Sequence, residues 1–164
     1  MTTETTQNVV LSRVGKAPVQ LPAKVTVTVA GEEVPVKGPL GTLTRTFKGV
    51  TFEIGKENIV VSPVDHTRST KALHGLGRNL LRNMVVGVTT GYKRELDIIG
   101  VGFRCEQVGQ AIKFSIGFSH PVNFVVPDGV VFKVDKQTHI ELTSTDKELL
   151  GQTAANIRGL RPPE

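Results

Sequence analysis

Any reactive chemistry in this chain would have to come from four histidines, one cysteine and a single Ser-His step. His66, His74, His120 and His139 lie in different stretches, with no second ligand at metal-binding spacing, so no zinc or iron site is expected. Cys105 stands alone, which excludes an internal disulfide and any multi-cysteine metal site, and fits a reducing compartment. It reads as a half-buried strand residue rather than a reactive thiol. Ser119 adjoins His120 in GFSHPV. Neighbouring side chains on an extended segment point to opposite sides, and no carboxylate is placed to orient the imidazole, so a turn before Pro121 is the expected role. Glu95, Asp97 and Glu106 are scattered among strand residues and form no general-acid pair. GVG at Gly100 to Gly102 lacks the third glycine of a dinucleotide fingerprint, and KGPLG lacks the Lys-Ser/Thr of a phosphate loop. Both read as strand bends or hairpin turns. No catalytic residue, cofactor, metal or small-molecule substrate is expected.

Charge is the remaining chemical signal. A formal net charge of +5 on 164 residues is common even in proteins with no anionic partner, so its distribution matters more than its size. Residues 1–82 carry 11 Lys and Arg against 6 Asp and Glu; residues 83–164 carry 9 against 9. The most one-sided stretch runs from His66 to Arg94, with Arg68, Lys71, Arg78, Arg82, Lys93 and Arg94 and no acid. Such a stretch suits an anionic surface.

The elements that must carry these residues are read from periodicity. Val and Gly are frequent and the aromatic residues are nearly all Phe, a composition that favours strands joined by tight turns. Val25, Val27 and Val29 alternate with polar residues, Ala30 to Glu33 make a turn, and Val34 and Val36 resume the alternation, which predicts a β-hairpin. VTFEIG and GKENIVVSPV give two further strands around Gly55-Lys56. A helix should follow, with Leu73, Leu76, Leu80 and Met84 on its apolar side and Lys71, Arg78 and Arg82 opposite. Gly75 and Gly77 within it mark either close packing or a fray point. No apolar run reaches the roughly 20 residues of a membrane span, and MTTETTQNVVLSR lacks a signal-peptide layout, so a soluble, non-secreted protein is expected.

The second half repeats this plan. Ile112, Phe114 and Ile116 alternate after a turn at Val108-Gly109-Gln110, and VVFKVDKQTHIEL precedes a closing helix. VTFEIGKENIVV matches VVFKVDKQTHIEL at a shift of about 80 residues, Phe52 answering Phe132 and Asp65 answering Asp146, as an internal duplication would produce. The expected architecture is α+β, two tandem similar domains over residues 12–82 and 83–164, each a small, mainly antiparallel sheet packed with one helix. Residues 1–11 are expected to form a flexible extension. Thr145 and Glu148 have capping-box spacing at the closing helix. Leu150, Ala154 and Ile157 should face its core, and Pro162 should stop it. Arg158 and Arg161 then complement the helix dipole or contact an anion.

The ordered motifs SRVGKAPV, VKGPLGTL, ALHGLGRNLLRNMVVGVTTGY, GVGFR, IGFSHPV and DKELLGQTAANIRGLRPPE together resemble the large-subunit ribosomal protein L-six family, bacterial or organellar type. The resemblance runs from Ser12 to the last residue without a large gap. It implies assembly into the large ribosomal subunit, binding to large-subunit ribosomal RNA near the factor-binding side, neighbouring ribosomal proteins as further partners, and a cytoplasmic or organellar ribosome as location. By family position it implies RNA contacts at Arg158, Arg161 and Lys147, at Ser119 and His120, at Ser12, Arg13 and Lys16, and at Arg68, Lys71, Arg78 and Arg82. Each basic residue has the alternative of a solvated surface charge. Family members continue from Arg-Pro-Pro-Glu into a basic Tyr, Lys and Gly-rich tail, so the numbered chain is expected to be the ordered part of a longer protein, or else a truncated form. Two other classes compete: a free-standing adaptor for an acidic protein partner, using the basic helix face, and a small hydrolase built on Ser119 and His120. Neither explains the ordered run of motifs.

Overall fold

The computed structural model describes residues 11–163, so all but Leu11 of the expected flexible extension lies outside the described residues. The chain divides into two compact units, Met1–Thr89 and Thr90–Glu164.

The first unit begins with short strands β1 (Val19–Gln20) and β2 (Thr26–Val27), followed by β3 (Glu33–Gly38), β4 (Gly41–Thr46), β5 (Val50–Ile54) and β6 (Asn58–Pro63), and closes with helix α1 (Arg68–Thr89). The strands form two antiparallel three-stranded sheets, β2-β3-β4 and β1-β6-β5. The predicted valine hairpin is the β2-β3 pair, with Val27 opposite Val36. Ala30 and Glu33 exchange backbone hydrogen bonds of 2.9 and 3.1 Å across its turn, and Gly31 takes the positive φ of 66° that such a turn requires. KGPLG is a hairpin turn too, since Gly38 pairs with Gly41 around Pro39-Leu40.

Of the apolar side expected for helix α1, Met84 is buried and Leu80 packs partly buried against the core, but the first half of the helix turns a different face inward. Leu76 is 52% exposed and Leu73 is also exposed, whereas Thr70, His74, Gly77, Leu81, Met84, Val85 and Val88 are buried. These residues keep helical spacing, but the first three, Thr70, His74 and Gly77, are polar or lack a side chain. His74 can face a core because both its ring nitrogens find partners there; Gly77 does so because a Cβ would approach Val50 to 3.3 Å and Phe47 to 3.7 Å. Close packing, not fraying, therefore explains this glycine. The helix runs seven residues past 82, carried by Val85 and Val88, so the boundary expected there falls inside it; Gly91 follows at a positive φ of 76°. Thr67 caps its start by accepting the Thr70 amide at 3.3 Å.

The second unit contains β7 (Tyr92–Asp97), β8 (Arg104–Val108), β9 (Ala111–Ser115), β10 (Val122–Val125), β11 (Val130–Asp135), β12 (His139–Ser144) and helix α2 (Lys147–Leu160). Its sheets are β10-β9-β8 and β11-β12-β7, again antiparallel and three-stranded. The fold class is therefore as expected, with the single sheet of each domain divided in two. The duplicated strands also correspond: β5-β6 and β11-β12 are hairpins just before the helix, with Phe52 opposite Val61 and Phe132 opposite Leu142. Ile112, Phe114 and Ile116 are all buried. Cys105 is fully buried and donates its thiol proton to the Gln137 carbonyl at 3.3 Å.

The cap of α2 is Asp146, not Thr145. Its carboxylate accepts from the amides of Glu148 at 2.9 Å and Leu149 at 3.5 Å, while the Ser144 hydroxyl accepts from the Asp146 amide. The acid satisfies two helix donors that a capping box would have assigned to the preceding residue. Leu150 and Ile157 face the core as expected, Ala154 is half-buried, and the fully buried Thr153 spends its hydroxyl on the Leu149 carbonyl at 2.7 Å. The helix ends at Leu160, two residues before Pro162.

Candidate nucleic-acid interface

In the first unit the segment from Ser12 to Pro18 is tied to α1. His74 accepts the Ser12 amide proton on Nδ1 at 3.3 Å, and its Nε2 donates to the Val61 carbonyl at 2.6 Å. A Cβ on Gly15 would lie 2.5 Å from the same ring, and one on Gly75 would lie 2.7 Å from the Ser12 hydroxyl. Further along, Arg78 donates from Nε to the Ala17 carbonyl at 3.0 Å and from Nη2 to the Pro18 carbonyl at 3.4 Å. Arg78 therefore pins this segment to α1.

This docking brings together residues that the sequence holds far apart. Arg68, Lys71, Gly75, Arg78 and Arg82 recur at helical spacing along one stripe of α1, and the N-terminal segment crosses that stripe at Gly75 and Arg78. Arg13, Lys16, Arg68, Lys71 and Arg82 are exposed, and among the described residues none is paired with a carboxylate. Five exposed cations beside one helix face, without a carboxylate partner among the described residues, give that face a positive potential. Ser12 itself faces inward to the turn, its hydroxyl accepting the Gly15 amide at 3.3 Å.

In the second unit Arg161 joins the end of α2 to the loop after β9. Its Nη1 donates to the Ile116 carbonyl at 2.8 Å, and its guanidinium lies 5.1 Å from the Phe103 ring centre and 5.6 Å from that of Phe118. Ser119 and His120 follow on that loop, both exposed, with His120 Nδ1 3.4 Å from the Pro121 carbonyl. Arg158 is exposed on the last turn of α2 and shares with Arg161 the rim of a cavity of about 520 Å³, floored by Leu96, Phe103, Ile116 and Ile157. Lys147 does not belong to this group. It stands at the opposite end of α2, roughly 16 Å away at 1.5 Å per residue, with its ammonium 5.7 Å from the Tyr92 ring centre.

The sequence spacing hides one cluster that strand pairing creates. His139 lies opposite Asp97 and Glu141 opposite Glu95 in the β12-β7 ladder, which places ligand atoms of Glu95, His139 and Glu141 within 4.8 Å of one another. The expectation that no histidine has a ligand-type companion therefore fails for His139. The Lys93 ammonium already bridges the two glutamates at 2.7 and 3.2 Å, and His139 Nδ1 is bonded to Asp97 at 2.5 Å. Its hydrogen bond to Glu95 raises the Lys93 ammonium and holds the Glu95 carboxyl low, while the bond to Asp97 raises the His139 imidazole. The cluster is an ion-pair ladder on an exposed strand pair. Burial raises the Cys105 thiol, which keeps it in the unreactive form.

A family model described as ribosomal protein L6 matches residues 21–91 and 99–164. Proteins named large ribosomal subunit protein uL6 are similar over nearly the whole chain. That of Synechococcus sp. (strain CC9311) is 47% identical over 155 residues, 94% of this chain and 87% of the relative. That of Desulfatibacillum aliphaticivorans is 48% identical over the same shares, and that of Prochlorococcus marinus (strain MIT 9515) is 46% identical.

Proposed function

Because this chain belongs to the ribosomal protein L6 family, we propose that it is a structural constituent of the large ribosomal subunit which binds large-subunit ribosomal RNA near the factor-binding side and supports translation. It works without catalysis, cofactor or metal, alongside neighbouring ribosomal proteins, on a cytoplasmic or organellar ribosome. Two tandem domains of one ancestral fold present separate RNA contacts.

The observation that carries RNA binding is the α1 stripe with the docked Ser12–Pro18 segment. Arg13, Lys16, Arg68, Lys71 and Arg82 stand exposed there with no carboxylate partner among the described residues. Cations in that state neutralise phosphates and release counterions, and a rigid array of them fixes orientation on folded RNA, where shape and 2′-hydroxyls are read more than base sequence. In the second unit Arg158, Ser119 and His120 make the second contact, with Arg161 holding the loop in place. Lys147 contributes at the other end of α2. Arg78 serves indirectly, by fixing the segment that carries Arg13 and Lys16.

The test is binding to large-subunit ribosomal RNA across a salt series, with Arg68→Ala, Lys71→Ala and Arg82→Ala combined as the comparison. Affinity should fall steeply with salt, and the triple variant should lower the log-log slope by about 0.7 to 0.9 for each phosphate no longer neutralised. Equal affinity for an unrelated RNA of the same length, together with an unchanged slope in the variant, would leave the acidic-protein adaptor as the better interpretation.

A further inference from the structure

We propose that His74, a fully buried residue with no access to RNA, is the positioning residue that sets the N-terminal half of the RNA contact; this rests on the RNA-binding role proposed above. The case begins with hydrogen-bond chemistry. A carbonyl oxygen only accepts, so the 2.6 Å bond to Val61 places the ring proton on Nε2 and leaves the Nδ1 lone pair free to accept the Ser12 amide at 3.3 Å. One neutral tautomer satisfies both bonds, and the ring is completely buried. The imidazole thus links strand β6, helix α1 and the N-terminal segment.

The segment is shaped to that ring. The Lys16 amide donates to the Ser12 carbonyl at 3.1 Å and the Ala17 amide to the Val14 carbonyl at 3.2 Å, so residues 12–17 form a tight turn. Gly15 sits where any Cβ would strike three ring atoms at 2.5 to 2.6 Å, and Gly75 leaves just enough room for the Ser12 hydroxyl. The two flanking cations, Arg13 and Lys16, are exposed on this turn, and Arg78 fastens its exit at Ala17 and Pro18. Leucine at position 74 could fill similar space but could not hold the Ser12 amide. Glutamine could, its amide nitrogen donating to Val61 and its oxygen accepting from Ser12.

Limited trypsin digestion reads the turn without RNA, because residues 1–12 contain no Lys or Arg and the first cleavable bonds follow Arg13 and Lys16. His74→Leu should speed cleavage at those two bonds about tenfold, the effect of losing one hydrogen bond from a local opening equilibrium, while sites inside the sheets stay protected. His74→Gln should cleave as slowly as wild type. In the RNA salt series His74→Leu should lose a slope of about 1.4 to 1.8, the contribution of two phosphate contacts. Adding Arg13→Ala and Lys16→Ala to it should cost nothing more. Should His74→Leu fail to fold by far-UV circular dichroism, Ser12→Pro removes the same donor without touching the core and takes its place in both assays, read against Ser12→Ala, which loses only the hydroxyl that accepts the Gly15 amide. Unchanged cleavage after Arg13 and Lys16 in the folded variant overturns the positioning role, as does full additivity with the Arg13 and Lys16 substitutions. If wild type itself shows no preference for ribosomal RNA, the RNA-binding role fails, and the trypsin result still decides whether His74 holds the turn.

Discussion

Arg161→Ala should destabilise the second unit while Arg158→Ala, three residues away on α2, should not. Arg161 donates to the Ile116 carbonyl at 2.8 Å and lies over Phe103 and Phe118 at 5.1 and 5.6 Å. A hydrogen bond from a charged donor is worth about 1.5 to 3 kcal/mol when shielded, but this side chain is largely exposed, so about 1 kcal/mol is the fitting figure. Each exposed cation-ring contact adds about 0.5 to 1 kcal/mol. The total is roughly 2 kcal/mol, a large fraction of the stability of a small unit. The chain has one tyrosine and no tryptophan, and Tyr92 lies in the second unit, so its fluorescence reports that unit alone. With a urea m-value of about 1 kcal/mol per molar, suited to a unit this small, the midpoint should fall by roughly 2 M. Arg161→Lys should lie between, since an ammonium keeps the charge and loses the planar fork. Arg158→Ala should stay within about 0.5 kcal/mol of wild type. Identical midpoints for the two alanine variants would refute the clamp and return Arg161 to the status of a surface charge.

The same fluorescence assay separates two cap assignments: Asp146→Ala should cost about 1 kcal/mol, within a range of 0.5 to 2, and Thr145→Ala should leave the helix start intact; the reverse order contradicts the observed cap. The His139-Asp97 pair makes stability depend on pH. The folded imidazole is raised by Asp97, so its contribution is fully present below the unfolded value near 6.5 and is lost as pH rises through the folded value. Asp97→Asn should therefore lower the urea midpoint most near pH 6 and least near pH 8.5, and a deficit that grows with pH would have the wrong sign. Cys105, buried and with its thiol raised, should react with a disulfide reagent only as Tyr92 reports unfolding; rapid labelling of the folded protein would contradict its burial.

Strand alternation was the most legible signal. Val34 and Val36, or Ile112 and Phe114, alternate with polar neighbours because one face of each strand meets a core, and the turn glycines mark where the pairs close. The buried face of α1 was hidden because its first three turns enter the core through Thr70, His74 and Gly77, whose types signal exposure unless their partners are known. Leu73 and Leu76 drew attention to the wrong stripe. Asp146 and Thr145 are both good caps one residue apart, and only the path of the chain selects between them. The Lys93, Glu95, His139 and Glu141 ladder depends on cross-strand register, which composition and spacing within one segment do not contain. For the interface, the family motifs pointed to Ser12, Arg13, Lys16 and the α1 cations. What joins them is a hydrogen bond between residues 62 apart in sequence, to a histidine that resembles neither a ligand nor a core residue when read alone.

Sedimentation tests the ribosomal assignment most directly. Lysate from cells expressing the tagged full-length protein, layered on a sucrose gradient at low salt, should show it in the large-subunit peak. As monovalent salt rises toward about 1 M it should move to the top of the gradient, because its hold on RNA is electrostatic. Recovery at the top of the gradient at every salt concentration, with the large-subunit peak devoid of the tag, would contradict the assignment.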